Sequence, residues 1–391
     1  MKSFFVKLGK IRRLLKKSGI KGGFKVLSHY VFTFIKAFFV GGGDVLFISS
    51  GVGDSAYYRA YNPAEELRIH GFKSSTTISD NPILPRLVDK FKVFVFHRAV
   101  YNKNIEKMIE KIKEQKKEII FDTDDLVYDP QYLMHMDYFK KMSKAEQEQY
   151  KNGIGAEIVN DPYVKVCTTT VSYLADRLRE KGKRVIVVPN KFSESELELA
   201  NNIIKKEKFN DGFVRIVYCS GTLSHNKDFV VIKDVLMRVM AEYEKVKLTF
   251  IGPLDIPEEF DYLKDRIEVV PYVPRKEVYP NLYKTDINII PLEQNPFCES
   301  KSAIKFTEAG ILSLPSIAVR NQTFSEAITD GVDGFLADNS DEWFEKIGKL
   351  IEDSNLRKRI GKEARKKVFK FYTNRKSQNF EYYDYIKSRI K

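Results

Sequence analysis

Short apolar runs that end in small or polar residues recur along this chain, each set off by charged, helix-forming stretches. That alternation limits the possible folds more than any other feature. In the first half the runs are residues 44–49 (DVLFIS), 92–97 (KVFVFH), 118–122 (EIIFD), 164–168 (VKVCT) and 184–189 (RVIVVP), with charged stretches such as 105–117 and 172–181 among them. Runs this short, with no polar alternation, read as strands buried on both faces; helices interleaved with them predict a parallel sheet wound on both sides. The polar stretch 191–210 then breaks at Asp211-Gly212, which marks a junction. A second alternation follows, with strands expected at 214–219, 246–252, 267–271, 286–291, 315–319 and 334–337. Two Rossmann-like units in tandem leave a cleft, and open α/β sheets bind ligands beyond the carboxyl ends of their strands.

A chain of 391 residues accommodates two domains, and 43% hydrophobic with 30% charged residues is a globular composition. Cys167, Cys219 and Cys298 are odd in number and show no metal-binding spacing. We read them as small buried apolar residues in a reducing compartment, with neither a disulfide frame nor a zinc site.

The formal charge of +13 is concentrated at the N-terminus, where residues 1–40 hold ten Lys/Arg and no acid. Those cations are mixed with Phe4, Phe5, Val6, Leu8, Ile11, Leu14 and Leu15, which suits a membrane-surface helix better than a nucleic-acid module. Residues 24–40 are apolar but short and interrupted by Lys25, His29 and Lys36, so an interfacial helix is favoured over a spanning one. Packing on the domain and a signal peptide are the other readings. The expected divisions are 1–43 as the basic segment, 44–200 and 201–372 as the two Rossmann-like domains, and 373–391 as a helix returning to the first.

Two segments carry chemistry. Residues 295–310, NPFCESKSAIKFTEAG, follow an expected strand and open an expected helix. A helix start offers unpaired N–H groups and a positive dipole end, so Ser300, Lys301, Ser302 and Ala303 could cradle a phosphate. Glu308, farther along, could accept hydrogen bonds from a ribose diol. Residues 220–229, SGTLSHNKDF, follow the first strand of the second half. Here Gly221 permits a tight turn, Lys227 can reach a diphosphate, and His225 is either a phosphate donor or a capping residue.

With FSEAITDGVDGFLADN (324–339), these segments resemble the retaining group-one GT-B glycosyltransferases, family 4-like, and in particular a bacterial branch involved in surface polysaccharides. The likeness runs through DTDDLVYDP (122–130), TTTVSYLADRL (168–178) and VPN (188–190). It implies an α/β GT-B fold, two Rossmann-like domains with parallel sheets facing across a cleft, preceded by a basic helical segment. It also implies a diphosphate held by the Lys227 loop, a ribose held by Glu308, and the donor sugar near Glu299 to Ser302. Thr222 stands where the family commonly has an arginine, so a second cation would come from Lys301, Lys305 or Arg59. Glu299 and Glu308 stand one residue further apart than the family's pair, which puts Ser300 in register.

In the first half, Arg59 lies in a loop entering a helix, where similar enzymes place the acceptor. His97 and Arg98 follow an apolar strand and are candidates for touching donor or acceptor. The acidic turn Asp122, Asp124, Asp125 has two readings: metal ligands of a single-domain GT-A transferase, or an acceptor-side or structural role. The second alternating half favours the latter.

Taken together, Glu299, Lys227 and His97 are the expected catalytic residues. No cofactor or metal is expected beyond a nucleotide diphosphate sugar as donor substrate. The expected partners are that donor, a saccharide or lipid-linked acceptor and a membrane surface on the cytoplasmic side, but no nucleic acid. A nucleotide-sugar epimerase and an inactive scaffold subunit are the alternatives.

Overall fold

A computed structural model describes residues 28, 31–32, 35–36, 39–136, 139–140, 142–221 and 226–391. Most of the basic N-terminal segment, together with Thr222 and His225, therefore lies outside the described residues. Among the described residues no helix is long and apolar enough to cross a membrane. The chain forms two units: residues 1–193, 300–302 and 377–391, and residues 194–299 and 303–376.

In the first unit, β1 (Val45–Ser49), β2 (Ser74–Ile78), β3 (Val93–His97), β4 (Glu118–Thr123), β5 (Val166–Thr169) and β6 (Arg184–Val187) make one parallel sheet, ordered β2-β1-β3-β4-β5-β6. Its helices include α1 (Asn62–Ile69), α2 (Lys103–Glu114) and α3 (Ser172–Glu180). The start of α2 is fixed by Asn102, whose side chain accepts from the amides of Asn104 and Ile105. Ile105, Met108, Ile109 and Ile112, at helical spacing, are its buried face.

In the second unit, β7 (Val214–Cys219), β8 (Val246–Ile251), β9 (Ile267–Val270), β10 (Ile287–Ile290), β11 (Ser316–Val319) and β12 (Phe335–Ala337) form a second parallel sheet, ordered β12-β11-β10-β7-β8-β9. Around it lie α4 (Glu194–Ile204), α5 (Asn226–Glu242), α6 (Arg275–Tyr283), α7 (Ile304–Ile311), α8 (Ser340–Glu352) and α9 (Ser354–Phe371). The chain leaves the first unit after Ser193, ahead of the division expected at residue 200, because α4 packs with the second unit. Buried Glu196 pairs with Arg275 at 2.5 Å, and Asn201 accepts from Arg365 at 2.6 Å.

The last helix, α10 (Phe380–Ile390), belongs to the first unit. Tyr382, Tyr385 and Ile386 join Val45, Val93, Ile120 and Ile186 in that unit's core. Buried Glu66 on α1 takes both Lys191, whose Nζ donates at 2.6 and 2.7 Å, and the Tyr383 hydroxyl.

Every strand expected from the sequence is present, with ends shifted by a residue or two. The omitted strand, β2, reads SSTTI and lies at a sheet edge, where half-exposed positions need no apolar run. Two six-stranded parallel sheets set aside the single-domain GT-A reading.

Candidate functional site

In the second sheet β7 lies between β8 and β10, so the connections after β7 and after β10 diverge to opposite sides there. A doubly wound sheet binds ligands at this switch point, beyond the carboxyl ends of its strands. Both motif segments start at this point: Ser220 and Gly221 follow β7, and residues 291–303 follow β10 and lead into α7. Asp228, on the first turn of α5, joins them. Its Oδ1 accepts from the Glu293 amide at 3.0 Å and from the Cys298 thiol at 3.7 Å. Lys227, the residue before it, is exposed. The carboxylates of Asp228 and Glu293 and the sulfur of Cys298 come within 4.8 Å of one another, which makes them the ligand set a divalent ion could use.

From α7, Lys305 and Glu308 both act on the thiol of Cys219 at the end of β7. Desolvation pushes that thiol up to about 12, Lys305 opposing and Glu308 adding to the shift. The Lys305 ammonium also stands 5.2 Å from the centre of the Tyr218 ring. The N-cap of α7, Ala303, supplies no side-chain hydrogen bond to the helix start. Glu299 turns toward the helix at 322–327 and accepts from the Gln322 amide at 3.3 Å, while burial raises its carboxyl above the ordinary value. Ser300 is fully buried; Lys301 and Ser302 are half-buried. Within the first unit, Ser302 Oγ accepts from Asn190 Nδ2 at 3.1 Å.

Gly221 has open space around its Cα and is exposed. The glycine that the geometry requires is Gly252, after β8: its φ is +94°, and an added Cβ would sit 1.9 Å from the Ser220 carbonyl oxygen. Sequence reasoning passed over it and over Asp228. A glycine immediately after an apolar strand was the available signal for the first.

The first unit gathers its own polar cluster at the carboxyl ends of β1, β3 and β4. Asp122 accepts from Arg59 Nε at 3.0 Å, from Arg59 Nη2, from Thr168 Oγ1 at 2.7 Å and from His97 Nδ1 at 3.0 Å. Burial pushes its carboxyl up, but Arg59 and His97 more than offset this and hold it below the usual carboxylate range. Arg59 is 1% exposed, and its remaining donors go to the Val188 carbonyl at 2.5 Å and Asn190 Oδ1 at 3.3 Å. Its charge is thus committed inside the unit.

The second ring nitrogen of His97 meets Ser55 Oγ at 2.8 Å, and that hydroxyl donates to Asp124 Oδ2 at 2.8 Å. Arg98 bridges Asp124 at 2.9 Å and Asp125 at 3.3 Å from a left-handed backbone, φ +46°. Such a conformation costs about 1 kcal/mol or more in a residue other than glycine and clusters at functional positions. Burial pushes the Asp124 carboxyl up, while Arg98, His97 and Arg59 bring it well below its ordinary value. Ser55 carried no motif and was not found from the sequence.

Residues 200–367 match the family described as "Glycosyl transferases group 1". The sequence matches no curated protein. Among solved structures, a glycosyltransferase from Rickettsia africae is similar at a TM-score of 0.62 and 13% identity, covering 89% of this chain and 99% of that one. Sucrose-phosphate synthase from Thermosynechococcus elongatus gives 0.60 and 12%, covering 88% and 99%. Anabaena HepE in complex with UDP and glucose gives 0.56 and 13%, covering 88% and 100%. At such identities the likeness bears on the fold, which is GT-B. With a group 1 glycosyl transferase domain at residues 200–367 and the paired parallel sheets of GT-B, this chain is a glycosyltransferase.

Proposed function

We propose that the enzyme moves a sugar from a nucleotide diphosphate donor held by the second unit to a saccharide or lipid-linked saccharide acceptor in cell-surface polysaccharide synthesis. The observation that carries this reading is the meeting of the segments after β7 and β10, tied by Asp228 to Glu293 and Cys298. Lys227 precedes that tie, and the side-chain-uncapped start of α7 follows it. Lys227 and the helix dipole neutralise the leaving diphosphate, so the anomeric C–O bond stretches into an oxocarbenium-like state without a metal. Glu308 holds the ribose. The acceptor hydroxyl attacks on the face the leaving group departs from, with retention, and a departing phosphate oxygen takes its proton. On this reading the N-terminal basic segment keeps the enzyme at the cytoplasmic face of the plasma membrane, near lipid-linked acceptors. Its few described residues include exposed Phe32, Ile35 and Phe39.

The test is a thermal-shift screen against UDP-, GDP- and dTDP-sugars, starting from UDP because HepE was crystallised with it. A donor at about 100 times its Kd stabilises by about 2.7 kcal/mol. Lys227→Ala and Glu308→Ala should each abolish the shift. A donor whose effect survives both substitutions rules the assignment out.

A further inference from the structure

We propose that the solvent face of α9 is a docking surface for an anionic lipid bilayer. The proposal deepens the membrane-surface part of the reading above and rests on it for where the enzyme works. Its residues are separate from the N-terminal segment and lie entirely in the second unit.

The 18 residues of α9 hold Arg357, Lys358, Arg359, Lys362, Arg365, Lys366, Lys367 and Lys370 against a single acid, Glu363. At about 100° per residue, Lys358, Arg359, Lys362, Lys366, Phe369 and Lys370 fall on one stripe about 120° wide. All six are exposed, while Ile360, Gly361, Ala364 and Val368 form the buried face. The helix rise makes the stripe about 18 Å long.

The other three cations are turned inward. Arg357 donates to the Leu350 and Ile351 carbonyls, Arg365 to Asn201, and Lys367 pairs with Asp333. On the stripe, Lys366 pairs with Glu363 at 2.6 Å. Among the described residues Lys358, Arg359, Lys362 and Lys370 have no ion pair; Lys370 instead lies 4.8 Å from the Phe371 ring centre.

Lys358, Lys362, Lys366 and Lys370 form an unbroken i, i+4 ladder of like charge, an arrangement that weakens a helix standing alone in water. Solubility alone would be served by alternating signs. An anionic surface relieves the repulsion, each cation near it contributing on the order of 1 kcal/mol. Phe369, 37% exposed on the stripe, decides which kind of polyanion fits. A bilayer interface covers an aromatic side chain beside lysines, whereas a polyphosphate leaves it wet; a single-stranded nucleic acid can stack a base on it, which makes RNA the competitor in the test.

The experiment is co-sedimentation of the full chain with vesicles of phosphatidylcholine containing about 30% phosphatidylglycerol, at low and high salt. Lys358→Ser/Lys362→Ser should weaken partitioning roughly thirtyfold at low salt. Phe369→Ser should give a smaller loss that persists at high salt. Both variants should melt like the parent and keep the donor-induced thermal shift, so failure here is separable from failure of the donor assignment. An N-terminal variant, Arg12→Ser/Arg13→Ser/Lys16→Ser/Lys17→Ser, serves as comparator. The proposal is overturned if the α9 variants bind as the parent does while the N-terminal variant loses binding. It is equally overturned if the parent does not sediment with these vesicles, or if α9 binds RNA as strongly and Phe369→Ser changes neither.

Discussion

Asp122→Asn tests the electrostatic design of the first unit. The carboxylate is 2% exposed and is the anion facing the buried Arg59 guanidinium, which is itself 1% exposed. Asparagine keeps the size but removes the charge and turns an NH2 group toward donors. Removing one partner of a buried ion pair leaves the other charge uncompensated and costs about 3–5 kcal/mol. Four donors converge on Asp122, two of them from Arg59, so we expect the upper part of that range near neutral pH. The pH dependence has a fixed sign. Because the folded carboxyl lies below its unfolded value, its stabilisation is complete above the unfolded pKa of about 4 and is lost as pH falls toward the folded value. Urea unfolding followed by far-UV circular dichroism near pH 7 and near pH 3 measures both effects. The midpoint gap between parent and variant should be large at the first and shrink at the second. Arg59→Met/Asp122→Asn should recover about half of the loss, since no guanidinium is then stranded. A loss under about 1 kcal/mol, or the same loss at both pH values, would refute the reasoning.

Further outcomes follow from the second unit. Gly252→Ala should cost about 2 kcal/mol or more and diminish donor-induced stabilisation, because the new Cβ collides with the Ser220 carbonyl in a left-handed backbone; denaturation and thermal shift report the two effects. Gly361→Ala should destabilise by a similar ~2 kcal/mol, since its Cβ would lie 2.0 Å from the Ser313 carbonyl, where α9 meets the turn after α7. Burial raises the Glu299 carboxyl, so its ionisation opposes folding as pH rises through that raised value. Glu299→Gln should therefore gain melting temperature relative to the parent between acid and neutral pH; a constant difference counts against the desolvation account.

The alternating strands were legible because a strand buried on both faces must be apolar throughout, as in VFVFH and VLFIS. The edge strand SSTTI escaped for the converse reason. The polar stretch 191–210 marked a junction, but the allegiance of the helix 194–204 within it was not legible. That is decided by Glu196 and Asn201 meeting Arg275 and Arg365, far away in sequence. At the candidate site, Lys227 and Glu308 could be proposed because each lies in a segment that follows an expected strand and resembles a family motif. Ser55, Asp228 and the fourfold coordination of Asp122 could not, since sequence spacing does not say which loops a parallel sheet sets side by side. Arg59 shows the opposite limit: its position suggested a substrate contact, and its guanidinium is spent on Asp122, Val188 and Asn190.

The grip of Glu66 on Lys191 and Tyr383 bears on how the protein can be shortened. One carboxylate fastens the chain just before it departs at Ser193 and again soon after it comes back at Ser377. The C-terminal stretch is therefore no disposable tail. A polypeptide ending at Lys376 would strip Tyr382, Tyr385 and Ile386 from the interior of the first sheet's unit and leave Glu66 with half its company, so the N-terminal half should fail to fold while the sequence of the other half is untouched.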